Sequence, residues 1–121
     1  MLLNNTKKIA LLLFVTIFIS GALYAAEKVE TIKIKTPSVQ CGMCKATIEK
    51  ALKAVDGVVK SNVDVKETKI TTVKYKTDIT NPDKIRLAIS KAGYVADSVQ
   101  ADKKAYDKLP TCCKVPEGKT K

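Results

Sequence analysis

Between Val29 and Val99 the apolar residues switch between a two-residue and a three-to-four-residue period, in an order that leaves few folds open. Ile32 and Ile34 alternate with Lys33 and Lys35, as on a strand with one wet face. Thr36-Pro37-Ser38 breaks that run. Cys44, Ile48, Ala51, Leu52 and Val55 then recur at helical spacing, and Asp56-Gly57 ends the helix. Val58 to Val65 is β-rich, and Lys66-Glu67-Thr68 turns it back into Ile70 to Lys76. There Thr71, Val73 and Tyr75 share one face and Lys74 and Lys76 the other. Thr80-Asn81-Pro82 starts a second helix with a capping residue and Pro at the first helical position. Ile85, Ala88, Ile89 and Ala92 are its stripe, Gly93 stops it, and Tyr94 to Val99 has the character of a short final strand. The order βαββαβ predicts an α+β, ferredoxin-like fold: a four-stranded antiparallel sheet with two helices on one face.

The chemistry concentrates at Cys41-Gly42-Met43-Cys44, where the first strand gives way to the first helix. The spacing puts Cys44 in the first helical turn and Cys41 in the loop before it. Both sulfurs then converge on one point. A helix N-terminus offers unpaired N–H groups and partial positive charge, which favour thiolate over thiol. The thiolate is the form that binds metal or attacks a disulfide. Composition narrows the ligand set, because the 121 residues contain no His and no Trp. Imidazole, the usual neutral nitrogen ligand and general base, is absent. The formal charge of +10 comes from 22 basic against 12 acidic residues. Lysines are spread through every segment and aromatics are few, so the charge predicts a solvated cationic surface and no nucleic-acid partner. Lys33, Lys35, Lys74 and Lys76 belong to that wet face, and Lys45 beside Cys44 is a first-turn lysine near any bound anion.

Residues 1–26 have the form of a signal peptide. Lys7 and Lys8 precede the apolar run Ile9 to Ile19, and Ala25 and Ala26 supply small residues at the cut. The position three before the cut is Leu23 or Tyr24, which departs from the small-residue rule. Cleavage would leave an N-terminus near Glu27, whereas an uncleaved Ile9 to Ala26 would be an anchor. Export predicts a periplasmic or otherwise oxidising location, where a CxxC can be held as a disulfide.

After the folded segment, 27–100, comes a tail, 101–121. It carries a short helix from Asp102 to Leu109, with Ala105, Tyr106 and Leu109 as apolar contacts, then Pro110 and the pair Cys112-Cys113. Adjacent Cα atoms are about 3.8 Å apart, less than the ordinary span of a disulfide, so these two cysteines are not expected to bridge each other. Free thiols, bridges to Cys41 or Cys44, and additional metal ligands all remain open for them.

With these residues in place, the chain resembles the heavy-metal-associated (HMA) domain family. The shared features are Cys41-x-x-Cys44 with Ile48 and Ala51-Leu52 behind it, Asp56-Gly57-Val58, Thr72-Val73-Lys74-Tyr75 and Ala92-Gly93-Tyr94. The resemblance implies soft-metal binding by Cys41 and Cys44, with Tyr94 in a loop close to the site. Exported single-domain members of that kind bind mercury or copper in the periplasm. One departure stands out. The family's usual Met, two positions before the first Cys, is Val39 here, and Met43 lies between the cysteines instead. Met43 is expected to fill a gap in the core as that Met does; the alternative is an outward thioether ligand.

The expected function is therefore binding of Cu(I) or Hg(II) by two thiolates, without catalysis. Transfer would proceed by thiol exchange on an exposed loop. Zn(II) is disfavoured because it wants four ligands. Partners of the expected class are a metal-transporting membrane protein or another thiol carrier, with the chain itself a monomer. The competing reading is a thiol–disulfide redox protein using the same CxxC. It lacks the Trp-Cys-Gly-x-Cys type of motif and the thioredoxin element order.

Overall fold

The computed structural model describes residues 26–115. The signal-peptide reading of residues 1–26 lies almost wholly outside them. Among the described residues no helix is long and apolar enough to cross a membrane. Strand β1 (Val29–Lys35) leads to helix α1 (Gly42–Lys53), then strands β2 (Val58–Val63) and β3 (Ile70–Lys76) and helix α2 (Pro82–Lys91). A short helix α3 (Lys103–Asp107) and a 3₁₀ turn, Thr111–Cys113, follow. Strand order is β1-β3-β2, antiparallel throughout. The central β3 is aligned by Ile32 opposite Val73 and Ile34 opposite Thr71 on one side, and Val63 opposite Thr71 on the other. Because side chains alternate, this register sends Ile34, Val63, Val73 and Tyr75 into one core with Ile48 and Leu52 of α1 and Ile85 and Ile89 of α2.

Local chemistry explains the joints. The Asp64 carboxylate accepts from the Thr68 hydroxyl and from the backbone N–H groups of Lys66, Glu67 and Thr68. These donors, the Thr68 hydroxyl foremost, hold its carboxyl well below the usual carboxylate range and shape the β2–β3 turn. Asn81 caps α2 by accepting from Lys84 N at 3.0 Å, with Pro82 behind it. Gly57 has φ +93°, and a Cβ there would fall 2.9 Å from that of Ile79, so the turn into β2 requires glycine.

The fold class is as expected, but the fourth strand is not formed. Tyr94 to Val99 holds only an isolated bridge between Ala96 and Val99. The reason is Asp97, whose φ of 51° turns the backbone away from an extended course. Its N–H donates to Lys35 O at 2.8 Å, and its carboxylate accepts from Lys35 N at 2.8 Å. The side chain thus takes the donor that a ladder carbonyl would have taken. Arg86 Nε donates to the same carboxylate at 2.8 Å, tying α2 to the end of β1. The result is a three-stranded βαββα unit with a pinned loop beside β1.

Candidate metal centre

Cys41 is the N-cap of α1, with extended φ and ψ of −150° and 176°, and no side-chain oxygen caps the helix. The backbone N–H of Cys44 is the largest influence on the Cys41 thiol. The Cys44 thiol, the Met43 N–H and the Cys112 thiol act the same way, against some desolvation, and bring its pKa down to about 7. The two sulfurs of the motif are 3.5 Å apart. Cys44, unlike the exposed loop expected, is fully buried and continuous with the Ile48–Leu52 stripe. Lys45 turns from the sulfurs toward β2, where its Nζ donates to Asn62 Oδ1 at 3.1 Å and lies 3.8 Å from Glu49.

A third sulfur arrives from the far end of the chain. Ser90 Oγ donates to Gln100 O at 2.6 Å, and Asp102 N donates to Ser90 O at 2.9 Å, which fixes the start of the tail on α2. The Asp102 carboxylate then caps α3 through Ala105 N. Gly93, with φ +99°, admits the tail closely: a Cβ there would meet Ala105, Tyr106 and Leu109 at 3.1 Å. Pro110 ends α3, and the 3₁₀ turn carries Cys113 inward until it is 1 % exposed. Cys113 Sγ is 3.8 Å from Cys41 Sγ, and the ligand atoms of Cys41, Cys44 and Cys113 all lie within 4.8 Å of one another. Burial above all pushes the Cys113 thiol up to about 12.

The exposed neighbour, Cys112, sits with its sulfur 3.7 Å from Met43 Sδ and 3.9 Å from Cys113 Sγ. Met43 is 56 % exposed, so it does not fill the core gap. Val39, at the position of the family's usual Met, is fully buried and does. Tyr94 is close to the sulfurs as expected, but it is wholly buried. Burial, then the Cys113 and Cys44 thiols beside it, raise its pKa strongly. The cysteines are all free thiols. Sequence spacing alone did not reveal that Cys113, rather than Cys112, turns inward. The signal available was Pro110, which starts a turn two residues before the pair.

The difference between Cys41 and Cys113 is measurable. In metal-free, reduced protein, alkylation of Cys41 should be half-maximal near pH 7 and rise above it, because a depressed pKa leaves the thiolate in place down to that pH. Cys113 should stay unmodified until far more alkaline conditions. Peptide mass spectrometry after iodoacetamide labelling across pH 5–10 reads both; equal rates at the two sites would contradict the geometry.

Thiols gathered at the start of the first helix of a ferredoxin-like unit, with no imidazole in the chain, define a soft-metal thiolate protein. The chain belongs to the heavy-metal-associated domain family, whose profile matches residues 33–95. It is 32 % identical over 83 residues to the "Mercuric transport protein periplasmic component" of Shewanella putrefaciens, covering 69 % of this chain and 90 % of that one. It is also similar to the crystal structure of oxidised MerP from Ralstonia metallidurans CH34. There the TM-score is 0.55 at 30 % identity, over 58 % of this chain and 96 % of that one. A copper-binding domain of HMA7, a P-type ATPase, aligns with a TM-score of 0.53 at 25 % identity, over 55 % of this chain and 89 % of the domain.

Proposed function

We propose that this chain is a carrier, not an enzyme, that captures a soft thiophilic ion outside the cytoplasm and hands it on, with Hg(II) ahead of Cu(I). The observation that supports it most directly is the Cys41–Cys44 dithiol, 3.5 Å between sulfurs, at a helix N-terminus. Thiolates select soft ions, and the cluster of potential ligands there consists of cysteines alone. The curated relative is a mercuric transport component, which favours mercury and a membrane transporter as recipient. The lysine-rich surface suits a docking partner of acidic character.

The mechanism is associative exchange. An incoming thiolate from a donor or recipient adds to the bound ion, a three-coordinate complex forms, and one original metal–sulfur bond breaks. Cys41, half-buried and with its thiol pKa lowered to about 7, is the sulfur through which exchange enters and leaves. Buried Cys44 is the sulfur that keeps the ion attached. The amide N–H groups of the first turn of α1 stabilise the single negative charge of the three-thiolate Hg(II) complex formed during exchange.

A competition titration tests this. Reduced protein, given Hg(II), Cu(I) and Zn(II) in turn against a chelator of known affinity, should bind one soft ion per chain and hold it at least about a thousandfold more tightly than Zn(II), about 4 kcal/mol. Zn(II) bound as tightly as the soft ions would remove the carrier reading.

A further inference from the structure

We propose that the segment Asp102–Cys113 is a strap that supplies a third thiolate from within the chain, so that the resting complex has three sulfurs: Cys41, Cys44 and Cys113. The inference rests on the soft-metal reading above and deepens it. A metal–thiolate bond is about 2.3 Å long, so a linear two-sulfur complex spans about 4.6 Å between sulfurs and a planar three-sulfur one about 4.0 Å. The observed separations are 3.5 Å for Cys41–Cys44 and 3.8 Å for Cys41–Cys113. The cluster therefore needs a smaller expansion for three-coordination than for linear coordination.

The strap is built rather than draped. It is anchored at Ser90, capped by Asp102, seated against Gly93 and closed by the turn at Pro110, where Cys113 N donates to Pro110 O at 2.9 Å. An independent observation points to a ligand. Tyr94 OH is fully buried and makes no hydrogen bond of ordinary geometry among the described residues, although the thiols of Cys113 and Cys44 lie beside it. A buried hydroxyl without a partner costs free energy. A metal-bound thiolate is an acceptor for that O–H, which a neutral thiol supplies only weakly. Outside the cluster, Cys112 and Met43 place two exposed sulfurs on its open side. The strap lies beyond residue 95, where the family match ends.

On loading, three metal–sulfur bonds form and the thiol protons still present leave to solvent. On transfer, the metal–Cys113 bond breaks first and the Cys113 thiolate takes up a proton from solvent, which leaves the ion on Cys41 and Cys44. A partner thiolate then bonds to the ion, restoring three-coordination in place of the strap, and the exchange proceeds through Cys41.

The test uses the full-length chain, purified as the cell processes it, reduced and loaded with one equivalent of Hg(II). Wild type, Cys112→Ser and Cys113→Ala are compared by X-ray absorption and by release to a competing dithiol. Three sulfurs are expected in wild type and Cys112→Ser and two in Cys113→Ala, with release at least about tenfold faster in Cys113→Ala, since a tethered ligand acts at high effective concentration. Two sulfurs in wild type, or three persisting in Cys113→Ala, would overturn the strap while leaving the carrier reading intact. Failure of wild type to retain Hg(II) at all would remove both.

Discussion

Replacing Cys41 and Cys44 together with Ala should lower the affinity for Hg(II) or Cu(I) by roughly three orders of magnitude or more, about 4 kcal/mol, while the chain stays folded. Two of the clustered sulfurs are lost, and the remaining Cys113 is left with exposed Cys112, 3.9 Å away, as its sulfur neighbour. Ala is preferable to Ser because Cys44 is fully buried beside Ile48. A serine hydroxyl there would lack an evident partner and cost about 1–3 kcal/mol, confusing metal loss with unfolding. The single changes should differ in kind. Cys41→Ala, at a half-buried cap, affects binding alone. Cys44→Ala also removes a core sulfur and carries a modest stability penalty. Chelator competition reads affinity and far-ultraviolet circular dichroism reads the fold; a double variant that retains the ion as tightly would move the site elsewhere.

Ile48→Ala should destabilise the metal-free protein by about 2–5 kcal/mol, a large share of the about 5–15 kcal/mol available to an ordinary domain. Ile48 is fully buried one turn beyond Cys44 and belongs to the cluster that joins α1 to the sheet and to α2. The site and the core share that helix, so the loss should be offset by the ion. A ligand at a thousandfold excess over its dissociation constant stabilises by about 4 kcal/mol if it binds only the folded chain. Urea unfolding with and without Hg(II) should show the midpoint of Ile48→Ala falling without metal and recovering in large part with it. A loss below about 1 kcal/mol would mean that α1 does not depend on this contact.

The parts of the molecule legible in the sequence are those fixed over one or two turns. The Cys44–Ile48–Leu52 spacing commits α1 to a buried stripe, and the helix start at Cys41–Cys44 brings the two sulfurs together with no help from the rest of the chain. Asn81-Pro82 marks the start of α2, and Gly57 and Gly93 mark turns through their positive φ. The alternation in β1 and β3 predicts the buried face because side chains on a strand point in turn to opposite sides. These signals suffice for a βαββα core and for the family, since each depends on local geometry.

What required the tertiary structure depends on partners far away in sequence. A fourth strand between Tyr94 and Val99 needed backbone donors free on β1. Asp97 occupies the Lys35 N–H with a side-chain oxygen instead, and Arg86 holds it there. Met43 reads as a core residue by type, but Val39 already fills the interior and leaves it outside. The third sulfur comes from 72 residues beyond Cys41. Periodicity gives the helix that carries it but not the direction in which Pro110 sends the chain. The sequence by itself determined a dithiol at a helix start within a small α+β core, because those features follow from spacing. Only the folded chain decided which of two adjacent tail cysteines joins that dithiol, because the tail seats Ala105, Tyr106 and Leu109 against Gly93 and the turn that follows buries Cys113 and leaves Cys112 in solvent.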